Sequence, residues 1–100
     1  MTADDEGGVR REGILLESLD DPAFRLTQPM RLIAEYEPGA VIVMWDETRD
    51  FGVGATLEAA VNDFRHSITE MYRRVEDVPG KSGPRVAAVW HVLARYIERS

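Results

Sequence analysis

The fold is decided by residues 30–75, which read MRLIAEYEPGAVIVMWDETRDFGVGATLEAAVNDFRHSITEMYRRV. Hydrophobic and polar residues alternate over residues 30–37, a pattern typical of a half-buried strand. After a Pro-Gly turn, residues 40–45 are apolar on both faces, as in the interior of a sheet. Residues 51–55 form a third predicted strand. Because the connections are short, the economical topology is an antiparallel meander.

One amphipathic helix follows the third strand. Thr56 is a suitable N-cap, and Glu58 in the first turn complements the helix dipole. Apolar residues then recur every three or four positions over five turns, which predicts a helix lying across one face of the sheet. These residues are Leu57, Ala60, Val61, Phe64, Ile68, Met71, Tyr72 and Val75.

Residues 85–99 predict a second helix, with Pro84 at its first position. This helix is apolar around most of its circumference and therefore requires burial on more than one side. A chain of 100 residues has little material to cover it. We therefore expect it to contribute to a dimer or partner interface. The candidate residues are Val86, Val89, Trp90, Leu93 and Ile97.

The domain organisation follows from these elements. We expect a disordered segment over residues 1–12, an α+β domain over residues 13–78, and a linker with a C-terminal helix over residues 79–100. The short apolar run at residues 14–19 is either a strand or a helical turn. The predicted fold class is α+β, with three antiparallel strands, or four if this run joins the sheet.

Composition excludes several classes of protein. The chain has no cysteine, which removes disulfides and thiolate metal sites. Its net charge is −6, and residues 29–78 alone hold ten acids against five arginines. An acidic body repels a phosphate backbone and suits a basic protein partner, or simply keeps a small domain soluble. Residues 79–100 hold four basic residues against one acid, so nucleic-acid binding through this tail is the weaker alternative.

No apolar run approaches the ~20 residues needed to span a bilayer. The first eight residues are acidic and lack the hydrophobic region of a signal peptide. We therefore expect a cytoplasmic protein that does not enter membranes.

The glycines of Gly52-Val53-Gly54 do not form a dinucleotide-binding motif, because its third glycine would fall at Leu57 and no parallel βαβ unit follows. They are better explained as permitting the change from strand to helix. The acids at 46, 47 and 50 lack the ligand spacing of a calcium loop. His66 and His91 have no triad or metal-ligand partner at a recognisable spacing. The sequence therefore predicts no catalytic residue, no cofactor and no metal site, and it predicts that the protein is not an enzyme.

The passage from the third strand into the first helix resembles the HicB-like antitoxin domain. That family shows a final strand, a small residue, a helix opening of the form (D/A)T-x-E-E-A, and often ELY further along. Residues 54–60 match the opening, and Glu70-Met71-Tyr72 matches the later element. The resemblance covers about residues 29–75. The residues that carry its fold motif are Gly52, Gly54, Thr56, Glu58 and Ala60.

The resemblance implies a partial ribonuclease H-like fold without the nuclease carboxylates. It also implies a non-catalytic module that binds and neutralises a small RNA-cleaving toxin. The acidic body predicts that this toxin is basic, and the apolar C-terminal helix predicts that the module is a dimer. Many relatives carry an appended DNA-binding module, and residues 84–100 are too short to match one. The alternative is a stand-alone structural or regulatory homodimer with no toxin partner.

Overall fold

The computed structural model describes residues 10–81 and 83–100 of the chain. Six strands and two helices are present in this part, with a short 3₁₀ turn at Pro79–Lys81. In chain order the elements are β1 (Arg10–Leu16), β2 (Phe24–Leu26), β3 (Met30–Glu37), β4 (Ala40–Trp45), β5 (Phe51–Gly54), α1 (Leu57–Glu76), α2 (Pro84–Tyr96) and β6 (Ile97–Arg99).

The main sheet has four antiparallel strands in the order β1-β3-β4-β5. This arrangement confirms the predicted α+β class and the version of it with a fourth strand. That strand begins at Arg10, before the predicted domain start at residue 13, because residues 10–12 pair with the end of β3. Disorder was also predicted for residues 1–9, which lie outside the described residues.

Alternation along the strands gives the sheet one buried face. The residues of that face pack against α1 and form the core together with the helix. They include Leu16 of β1, the alternate residues Met30, Leu32 and Ala34 of β3, and Val41, Val43 and Trp45 of β4. Trp45 is almost wholly buried and meets the ring of Tyr96 edge-on, with centroids 4.9 Å apart.

Helix α1 lies close against β5. The side chain of Thr56 accepts a hydrogen bond from the backbone N–H of Ala59 at 3.1 Å, so the predicted N-cap is confirmed. Glycines on β5 allow the helix to approach. A Cβ on Gly52 would lie 2.3 Å from the carbonyl oxygen of Ala60, and a Cβ on Gly54 would lie 2.5 Å from the amide nitrogen of Ala60. No other residue fits between strand and helix at these two positions.

The second helix is shorter than predicted. It ends at Tyr96, and residues 97–99 leave the helix to form β6, which pairs with β2. The correction has a tertiary cause: Ile97 adopts an extended backbone and is buried in the core. The backbone N–H of Thr27 donates to the carbonyl of Tyr96 at 2.8 Å and fastens the end of the helix to the body. In the part of the chain described, neither helix is long and apolar enough to cross a membrane.

Candidate interaction surface

The face of the main sheet opposite α1 is not covered by any described element. Apolar side chains lie exposed on it, with Leu15 56%, Phe51 55%, Ile33 44% and Val53 44% accessible. Ile42 and Met44 of β4 are half-buried on the same side. We call this surface the outer face, and it comprises Leu15, Ile33, Ile42, Met44, Phe51 and Val53. Contiguous exposed apolar area of this kind is characteristic of an interaction site.

The strand register places these residues, except Leu15, in two adjacent rows across the sheet; Leu15 lies opposite Arg31 in a third row. One row runs Gly13, Ile33, Met44, Phe51 from β1 to β5. The next row runs Arg11, Glu35, Ile42, Val53. The apolar residues are therefore contiguous and are not scattered, and a depression of about 310 Å³ lies between them.

The charged residues around the outer face carry both signs. Arg11 and Glu35 form an ion pair at 3.0 Å between β1 and β3. Arg31 and Asp46 both line a depression beside Ile33, and neither makes an ion pair with another described residue. Glu37 continues the exposed alternation of β3 on the same face. With it, these five side chains sum to −1, whereas the whole chain carries −6.

The two edges of the main sheet differ. At the β5 edge, the Asp63 carboxylate accepts a hydrogen bond from the backbone N–H of Val53 at 2.9 Å, so α1 occupies this edge. Strand β1 pairs only with β3 among the described residues, and its other edge is open over seven residues. An open edge can extend its hydrogen-bond ladder with another strand.

The structure separates the predicted interface residues of α2. Leu93 of α2 and Ile97 of β6 are almost fully buried inside the protomer, so both side chains belong to its core. Val86, Val89 and Trp90 are half-buried. The Trp90 ring packs against Tyr72 at 5.1 Å, and an interface role for these three residues stays a prediction.

The fold-motif residues come together where β5 leads into α1. Gly52, Gly54 and Ala60 form the close contact between strand and helix. Thr56 caps the helix, and Glu58 lies exposed in its first turn. These residues shape the junction between strand and helix.

Polar side chains elsewhere serve local structure. Arg65 donates to the carbonyl of Ser18 at 3.0 Å and pairs with Asp20 at 3.3 Å. Arg73 pairs with Asp21 at 3.3 Å. Together they hold the loop after β1 against the polar side of α1, beside a cleft of about 240 Å³ that His66 also lines.

The acidic loop after β4 contains Asp46, Glu47 and Asp50. The Thr48 hydroxyl donates to Asp50 at 2.5 Å, a contact typical of a polar turn. Among the described residues, no group of three or more histidine and acidic side chains could hold a metal ion.

Two tyrosines have a raised pKa. The hydrogen bond from the Tyr36 hydroxyl to Glu12 raises the pKa of Tyr36. Burial raises the pKa of Tyr72, and the nearby charge of Glu76 adds to the increase. In both cases the surroundings favour the neutral phenol.

Sequence reasoning missed the outer face. It assigned β4 to the sheet interior because residues 40–45 are apolar on both sides, and that position is correct. The usual corollary, that both faces are covered, does not hold. The sequence offered a second apolar helix that could have covered this face, and only the packing of α2 beside α1 and β6 shows that it does not.

The chain matches no protein-family model, no curated protein and no solved structure.

Proposed function

We propose that this protein is a non-catalytic protein-binding module of the HicB-like antitoxin type, which sequesters a small basic, RNA-cleaving protein in the cytoplasm. The observation that carries the proposal is the open edge of β1. It is a seven-residue strand with one unpaired side among the described residues. A partner strand can add to such an edge through backbone hydrogen bonds, and neighbouring side-chain pockets then supply specificity.

Charge supports a basic partner. The chain carries −6 overall, and most of the excess lies within residues 29–78. Complementary charge speeds the encounter of two proteins and disfavours acidic competitors. Binding of a basic ribonuclease would then block the surface through which that ribonuclease contacts RNA.

The arrangement of elements also supports the proposal. A meander that leads through Gly54 and Thr56 into a long amphipathic helix is what the resemblance implies. In this proposal the helix and the buried face of the sheet support the fold, and the open edge of β1 binds the partner.

The experiment begins with the tagged protein purified from its native host at moderate salt, and with identification of any stoichiometric partner. The purified partner is then assayed for RNA cleavage with increasing amounts of this protein. We expect cleavage to stop at an equimolar ratio. Hydrogen exchange at the amides of residues 10–16 should slow in the complex, because the added strand protects the β1 edge.

The alternative function is a homodimeric structural or regulatory domain without a toxin. The uncovered outer face favours it, since apolar surface of this kind is found at subunit interfaces. Recovery of the protein from its host without a stoichiometric partner would replace the first proposal with the second.

A further inference from the structure

We propose that the outer face is a homodimer interface in which the main sheets of two copies pack face to face. The proposal concerns a second copy of this chain and does not depend on a basic partner. It also assigns dimerisation to a surface other than the exposed side of α2.

The register of the sheet makes the row Gly13, Ile33, Met44, Phe51 of the outer face self-complementary. A two-fold axis parallel to the strands and midway between β3 and β4 places β3 of one copy over β4 of the other, and β1 over β5. In the row Gly13, Ile33, Met44, Phe51, Ile33 then faces Met44 of the second copy. In the next row, the ion-paired Glu35 and Arg11 lie over Ile42 and Val53 of the second copy. In an isologous interface each such contact occurs twice.

In this dimer, Gly13 leaves space for Phe51 of the second copy, the largest side chain of the outer face. The same operation places Phe51, at one end of the row, over Gly13 at the other end. A Cβ on Gly13 would have no neighbouring atom within 4 Å, and its φ is not left-handed. Neither backbone geometry nor packing within one copy therefore requires glycine here. Glycine inside a strand often marks close approach by another chain, and an incoming Phe51 supplies a reason for it.

The charges at the end of the outer face match in the same way. Arg31 lies on β3 and Asp46 directly follows β4, next to the pair Leu32 and Trp45, so the two side chains lie on either side of the axis. Both lack an ion-pair partner among the described residues. The two-fold operation brings Arg31 of one copy to Asp46 of the other, twice.

The size of the outer face fits a modest dimer. Strands spaced ~4.8 Å apart that rise ~3.4 Å per residue give a four-stranded face of roughly 400–500 Å². Two such faces and their flanking loops reach about 1,000 Å² in total, which is near the lower bound for a specific interface. We therefore expect dissociation in the micromolar range and an aligned packing of the two sheets.

A charge-exchange experiment on the purified protein tests the pairing. Dissociation constants are measured by sedimentation equilibrium for the wild type, Arg31→Asp and Asp46→Arg. Each single variant should dissociate at least about tenfold more readily, because it creates two like-charge contacts. The double variant should return to about the wild-type value, as should an equimolar mixture of the two single variants, which restores both pairs in a heterodimer. Arg85→Asp, on exposed α2, makes the same charge change away from the outer face and should have no effect.

Gly13→Leu gives a second test. It separates specific packing against Phe51 from non-specific hydrophobic association, because the two predict opposite changes in the dissociation constant. If copies of the chain associated only through non-specific hydrophobic contact, the added leucine would strengthen dimerisation. If Phe51 of the second copy occupies the space over Gly13, leucine should weaken association by about tenfold or more. A Cβ at position 13 meets no described atom within 4 Å, and circular dichroism of the variant checks that the monomer still folds. A chain that stays monomeric at high concentration, or a dimer indifferent to the charge exchange, would overturn the proposal.

Discussion

The backbone of Gly52 on β5 lies so close to α1 that a Cβ on Gly52 would come within 2.3 Å of the Ala60 carbonyl oxygen. The helix therefore contacts the strand backbone directly, without an intervening side chain. This contact sets the distance between α1 and the sheet and so the depth of the core beneath them.

Gly52→Ala should destabilise the protein by about 1–3 kcal/mol, because the new methyl group forces strand and helix apart. Urea denaturation followed by circular dichroism measures the change. Gly13→Ala is the matched control, since its methyl group meets no atom of the protomer within 4 Å. Equal losses of stability in the two variants would show that the cost comes from replacing any strand glycine by alanine, and not from the contact of Gly52 with α1.

Thr56→Ala should lower the free energy of unfolding by about 1 kcal/mol, because the amide of Ala59 loses its acceptor at the start of α1. Thr56→Ser retains a hydroxyl at the same place and should recover most of this loss. The comparison is made by thermal denaturation at neutral pH. Equal stability of the serine and alanine variants would contradict the role of the hydroxyl as a cap.

Leu93→Ala should destabilise the monomer by about 2–5 kcal/mol, since this side chain is fully buried and its removal leaves a cavity. Val86→Ala, at a half-buried position on the same helix, should cost much less. Both are measured by denaturation at low protein concentration. If Leu93→Ala left monomer stability intact and altered only association, its assignment to the core would be wrong.

Stability should decrease at alkaline pH partly through Tyr72. Burial raises the pKa of Tyr72 above its ordinary value of 10.0, so the folded state holds the phenolic proton more tightly than the unfolded state does. The resulting stabilisation is complete below pH 10.0 and is lost as pH rises through the folded-state pKa. Tyr72→Phe should therefore lose less stability than the wild type over this rise, as judged from denaturation midpoints. Parallel curves for the two proteins would count against the burial of the phenol as the cause.

The main elements of the fold could be predicted because they follow from local patterns. Alternation gave β3, and the stripe from Leu57 to Val75 with the cap at Thr56 gave α1. The motif glycines were also identified, although their reason is the approach of α1 and not a turn. These features depend on residues close together in the sequence.

The remaining features depend on distant parts of the chain. Strand β6 exists because residues 97–99 pair with β2, more than 70 residues away, while the local pattern still favours helix. The outer face is exposed because no described element packs on the second side of the sheet. A local sequence pattern cannot predict this, since it depends on where the other elements pack. Leu93 has the same apolar character as an interface residue, so only the packing of α2 assigns it to the core.

Native mass spectrometry of the protein, isolated from its native host at moderate salt, shows directly whether a basic partner is bound to it. The account predicts a complex whose mass equals one or two copies of this chain plus a small basic protein, and whose dissociation releases that partner intact. Spectra that contain only copies of this chain, at every salt concentration that preserves its fold, would contradict a role in sequestering a basic partner.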